Sequence, residues 1–221
     1  MKFDGGWFLY LPVLVFSVVV HECAHGLMAL WRGDPTAKER GRLTLNPLPH
    51  IDWFGSLVLP AVLLLSGSKI VFGWAKPVPI NWANLRSPRN DQVRVALAGP
   101  ASNLLLALLF TALLAVSPPT GFWSGLGRMA AFGVLLNCAL AVLNMIPIPP
   151  LDGSWLLLRF LPVRHLYVLQ QFRLLALAGL ILLLTLPKVS YYAIQLPVVT
   201  IAELCLRVFG VPAQRLLEML S

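Results

Sequence analysis

From Gly5 to Val20 no residue carries a charge, and the run closes on His21-Glu22-Cys23-Ala24-His25. Continued to Leu30, it reads as one helix over Gly6–Leu30, long enough to cross a bilayer, which takes about 20 mostly apolar residues. Runs of the same kind recur at Val93–Val116, Leu126–Ile146, Leu169–Leu186 and Tyr191–Phe209. Hydrophobic residues make up 58% of the chain and charged residues 12%, and the mean hydropathy is +0.78. The sequence therefore predicts a single integral membrane domain over 1–221, all-α and polytopic.

The formal charge of +8 does not indicate nucleic acid as a partner. The 17 Lys and Arg mostly flank apolar runs, and no basic block is interleaved with stacking aromatics. The lipid bilayer is the expected partner. Cys23, Cys138 and Cys205 lie in or beside apolar segments and form no disulfide framework. A weakly basic start, and a histidine-containing motif in place of a small-residue cleavage site, argue against a removable leader.

Phe54–Ser66 decides the topology. It has 13 residues, contains Pro60 and is followed by Gly67-Ser68-Lys69, so it is expected to re-enter the membrane rather than cross it. The Leu43-Thr44-Leu45 alternation before Asn46-Pro47 predicts a short membrane-associated β strand or hairpin. Nine Lys or Arg lie between Trp31 and Arg94, whereas Ser117–Gly127 has none. The N-terminus is then expected outside and the inner end of the first helix toward the cytoplasm. Five crossings plus a re-entrant element is the expected count, with six crossings as the alternative.

Two histidines four apart share one helical face and can grip a metal. Glu22 is turned about 100° from His21 around the helix, where it can act as a base for water. A catalytic zinc usually takes three protein ligands, and Asp152 is the best framed acidic candidate for the third. It follows Pro147-Ile148-Pro149-Pro150-Leu151 and precedes Gly153, a setting that stiffens the chain and then allows a sharp turn. For Asp152 to meet His21 and His25, the first helix and Leu126–Ile146 must run parallel, with one crossing between them. Asp52 is nearer in sequence but less well framed. His50 is the rival ligand, with a structural role as its alternative. His165 reads as a surface histidine, and Glu203 as a packing or snorkelling group.

The HExxH of His21–His25, Gly99-Pro100-Ala101-Ser102-Asn103, and Asn144 to Gly153 with its Leu151-Asp152-Gly153 resemble, in that order, the site-2 protease family of intramembrane metallopeptidases (peptidase M50). Leu45–Asp52 and Phe72–Pro79 resemble a compact bacterial branch without PDZ or CBS modules. The resemblance covers roughly residues 10–160, within a catalytic core of about 6–160 followed by additional helices over about 165–210. It implies one Zn²⁺ held by His21, His25 and Asp152, with Glu22 as catalytic base. Asn103 and Asn144 match polar positions near the site that orient substrate or an oxyanion, with helix–helix adhesion as the alternative reading. The implied substrates are single-span membrane proteins or remnant signal peptides, first trimmed by an upstream site-1-type protease. A metal-ion transporter and a non-catalytic helix-binding protein are the alternative functions.

Overall fold

The structure is a computed structural model and describes residues 7–58, 61–62, 65–66, 73–118, 120–121, 123–162, 164–165, 168 and 171–220. Its long helices are α1 (Trp7–Trp31), α2 (Pro88–Val116) and α3 (Ser124–Asn144). Then come α4 (Arg173–Leu184), α5 (Pro187–Val208, interrupted by a π turn at Tyr191–Gln195) and α6 (Ala213–Leu220). Of these, α1, α2, α3 and α5 are long and apolar enough to cross a bilayer. Their outer faces carry side chains such as Leu105, Leu109, Val116 and Val208, each more than 60% exposed. In water such faces would drive aggregation, and in a bilayer they are the lipid contact.

Contacts fix the helix directions. Tyr10 meets Phe132 with ring centroids 4.5 Å apart, and Ser17 bonds Asn137, so α1 and α3 run parallel. His25 meets Val95 and His21 meets Asn103, so α2 runs antiparallel between them. This is the arrangement that a shared site for His21 and Asp152 requires. Behind it, small buried residues (Ala107, Ala130, Ala131, Cys138, Ala202) let α2, α3 and α5 approach closely. At the far end of the bundle, α6 lays Met219 against Gly127, and Arg215 donates to the Ser117 carbonyl.

Two expectations come out differently, and a third falls partly outside the described residues. The crossing expected at Leu169–Leu186 is helical over α4, whose 12 residues reach roughly 18 Å, well short of a hydrocarbon core of about 30 Å. The described residues thus supply four helices of crossing length where five or six were expected. Phe54–Ser66 overlaps a π-helical turn at Trp53–Val58, while residues 59–60 and 63–64, and Lys69 beyond them, lie outside the described residues. Leu43–Leu45 is a series of bends, and no strand occurs among the described residues. Side chains there replace a ladder partner: Thr44 Oγ1 accepts the Asn46 N–H and Asn46 Oδ1 the Leu48 N–H, both at 3.1 Å.

An irregular strap, residues 73–85, crosses the end of α1 where the motif lies. Asp34, fully buried, anchors it by accepting from Asn81 N at 2.7 Å and Asn84 Nδ2 at 2.9 Å. Burial would raise the Asp34 carboxyl, but these bonds and those from Thr36 outweigh it and hold it below the usual range. Further along, Arg42 donates to the carbonyls of Lys76 and Pro77, and Trp82 packs against Trp155 with ring centroids 4.8 Å apart.

Candidate metal centre

His25 and His21 lie about 1.7 and 2.8 turns before the end of α1, so His21 sits roughly 15 Å along the axis from Trp31. Both are 8% exposed. Asp152 begins a 3₁₀ segment (Asp152–Arg159) just beyond α3. A Cβ on the next residue, Gly153, would collide with the Met145 carbonyl, so only glycine lets this turn fold back onto the end of α3. The fold thereby brings His21, His25 and Asp152 together as a three-ligand group.

The separations test whether a metal fits. The two Nε2 atoms are 3.0 Å apart, and each faces Asp152 Oδ2, at 3.2 and 3.3 Å. Zinc bonds of about 2.0–2.1 Å at the tetrahedral angle place neighbouring ligand atoms roughly 3.3 Å apart. Asp152 Oδ2 is buried and accepts no well-formed hydrogen bond despite both imidazoles being so near. Both other imidazole nitrogens have partners: His25 Nδ1 lies 2.8 Å from the Val95 carbonyl, and His21 Nδ1 lies 2.6 Å from Asn103 Oδ1. A carbonyl oxygen can only accept, so His25 Nδ1 carries the proton and its Nε2 offers a lone pair. Asp152 Oδ2, facing both imidazoles, adds a carboxylate oxygen to the set. Two neutral imidazoles and one carboxylate converging in this way fit a divalent cation.

Gly99 on α2 makes the space. A Cβ there would lie 2.6 Å from His21 Cε1 and closer still to His25 Nε2. Glu22 stands off the ligand face, and its Oε2 accepts the Val78 N–H of the strap at 2.8 Å. That bond orients the carboxylate without drawing it into the ligand group.

The other candidates fall elsewhere. Asn103 is fully buried and turned to His21. Asn144 donates to the Leu140 carbonyl on its own helix at 3.0 Å, with no hydrogen bond to the triad among the described residues. His50 is buried but donates from Nε2 to the Thr44 carbonyl, 3.0 Å away, and does not join the ligand group. Asp52 accepts the Gly55 N–H at 2.7 Å and serves as a local cap. His165 is exposed, and Glu203 pairs with Arg207 on α5 at 3.9 Å. Sequence reasoning missed Asn137 and Ser17, which extend the bonds behind Asn103, and the Val78 amide. An Asn inside an apolar run is the signal that points to Asn137.

The chain matches the sequence pattern of peptidase family M50 over residues 9–127 and 120–186, and it belongs to that family, in agreement with the site-2 protease resemblance. It is 40% identical over 161 residues to a Bacillus subtilis protein named "Putative zinc metalloprotease YwhC", an alignment covering 66% of this chain and 70% of that one. Proteins named "Putative zinc metalloprotease Rip2" from Mycolicibacterium smegmatis and Mycobacterium tuberculosis are 37% and 34% identical over 157 residues. Those alignments cover 69% of this chain and 57% of each relative, so the chain spans little more than half the mycobacterial proteins. No solved structure matches the chain. Family and fold together define a membrane metalloprotease of the zinc type.

Proposed function

We propose that the protein is an intramembrane zinc endopeptidase of the site-2 type, hydrolysing peptide bonds in or near the membrane-spanning segments of other proteins. The observation that carries this reading is the convergence of His21 Nε2, His25 Nε2 and Asp152 Oδ2 beside an oriented Glu22, within a bundle of apolar helices. One zinc held by these three residues would lower the pKa of a water molecule and polarise a peptide carbonyl. Glu22 takes the proton from the attacking water and returns it to the departing amine. The Val78 N–H keeps the Glu22 carboxylate aimed throughout, and the strap over the end of α1 limits the entry of bulk water. A substrate helix hides its carbonyls in its own hydrogen bonds, so it must unwind locally before attack. Single-span proteins and remnant signal peptides, already trimmed on the other side of the membrane by a first protease, suit a site of this kind.

The test is direct. Purified protein in detergent should cleave members of a panel of transmembrane peptides, lose that activity to a chelator and regain it with zinc. Continued cleavage by the His21→Ala/His25→Ala double variant would overturn the proposal.

The same reading carries a topology of four crossings. Since α6 packs at the Ser117–Gly127 end, α5 must start at the metal end, leaving one crossing after Asp152 and none for α4. The concentration of Lys and Arg at the metal end supports a cytoplasmic location for that end. In intact cells an impermeant thiol reagent should label a cysteine placed at Thr120 and spare one placed at Arg40, both exposed positions. The reverse pattern would invert the orientation.

A further inference from the structure

Behind His21 lies a row of hydrogen bonds between side chains that are all fully buried: Ser17, Asn137 and Asn103. Asn137 Nδ2 donates to Ser17 Oγ and to the Gly133 carbonyl, both at 2.9 Å. Asn103 Nδ2 donates to Asn137 Oδ1 at 2.8 Å, and Asn103 Oδ1 faces His21 Nδ1 at 2.6 Å.

An amide can be turned over to exchange its oxygen and nitrogen, so the sense of such a row has to be fixed by a group with only one role. The Ser17 hydroxyl cannot fix it, because it both donates and accepts. The Gly133 carbonyl can, because it only accepts. The Asn137 atom beside it must therefore be the nitrogen, which leaves Asn137 Oδ1 facing Asn103. That oxygen demands the Asn103 nitrogen, which in turn leaves Asn103 Oδ1 facing His21. The imidazole must then carry its proton on Nδ1 and present a bare Nε2 to Asp152 and His25.

We propose that Asn137 is a positioning residue for the metal centre: it transmits the polarity of the Gly133 carbonyl through Asn103 and so sets the tautomer of His21. The inference rests on His21 being a metal ligand, as in the proposed function. The two ligand histidines are thus set by different means. Val95 fixes His25 directly through one backbone carbonyl, while His21 depends on a carbonyl two amides away on α3. All three side chains are fully buried, so the row acts as a unit. Substitution of groups that orient metal-ligating histidines typically weakens metal affinity 10–100-fold.

The experiment uses full-length protein in detergent, with ¹⁵N-labelled histidine and the His21 signals assigned by their loss in His21→Ala. In zinc-free wild type, at a pH where the imidazoles are neutral, His21 should be protonated on Nδ1. An Nε2-protonated His21 would overturn the proposal without reference to any variant or to zinc. Asn137→Leu should give mixed tautomers and a roughly 10–100-fold weaker zinc affinity in competition with a chromogenic chelator. Asn137→Asp should restore both readouts to near wild type, because a neutral Asp keeps an O–H donor for Gly133 and an acceptor for Asn103. Unchanged tautomer and affinity in Asn137→Leu, or equal losses in the Leu and Asp variants, would overturn it. Wild-type protein that binds no zinc but shows the expected tautomer would refute the metalloprotease reading and leave the hydrogen-bond row standing.

Discussion

Glu22→Gln is expected to leave zinc stoichiometry unchanged while lowering peptide cleavage by about 10²–10⁴-fold, the usual worth of a positioned general base. Glu22 is held by a hydrogen bond from Val78 N to its Oε2 and stands outside the ligand group of His21, His25 and Asp152. A glutamine carbonyl can accept the same Val78 N–H, so the strap and the helix should keep their places. What disappears is the group able to take a proton from water. Elemental analysis and cleavage of a transmembrane peptide, measured on one preparation, check both halves. A protein that only passes metal across the membrane would keep its flux in this variant. Cleavage within a few-fold of wild type would remove Glu22 from the chemistry.

The three residues that converge were legible in the sequence because each is announced locally. The two histidines are spaced for one helical face, and Asp152 sits between a proline-rich stop and a glycine. The parallel course of α1 and α3 followed from requiring those two places to meet. The strand expected at Leu43–Leu45 failed because alternation says nothing about where Thr44 and Asn46 send their side chains, and here they bond the chain two residues on. The crossing expected near Leu169–Leu186 failed for a different reason. Hydropathy detects apolar residues but not where a helix stops, and α4 ends at Leu184, three residues before Pro187 opens α5. Asn137 was hidden because its meaning lies in partners 34 and 120 residues away. Asn103 was singled out, either as a group orienting substrate or an oxyanion or as helix–helix adhesion. Only the directions of three helices reveal that it faces a ligand histidine.

Gly99→Ala should weaken zinc binding and activity together, where Glu22→Gln lowers activity alone. The added methyl would fall 2.5 Å from His25 Cε1 and 2.6 Å from His21 Cε1, and nearer still to His25 Nε2, in the space where the ligand atoms converge. Contacts that short force a neighbour to move, and the neighbours have little freedom. His25 is tied to the Val95 carbonyl on the same helix as Gly99, and His21 to Asn103 one turn further along it. Displacing α2 instead would pull both bonds with it. Overpacking of a close-packed site costs typically 1–3 kcal/mol, and if the ligands absorb that strain, zinc affinity falls by roughly 10–10²-fold. The fold itself should survive, since alanine is the better helix former by about 1 kcal/mol. The measurements are zinc affinity and helical content by circular dichroism in the same detergent. Wild-type zinc affinity in Gly99→Ala would mean that the histidines do not meet the metal in the geometry described for His21, His25 and Asp152. Lost affinity with intact helicity would assign to one absent side chain the room in which the metal sits.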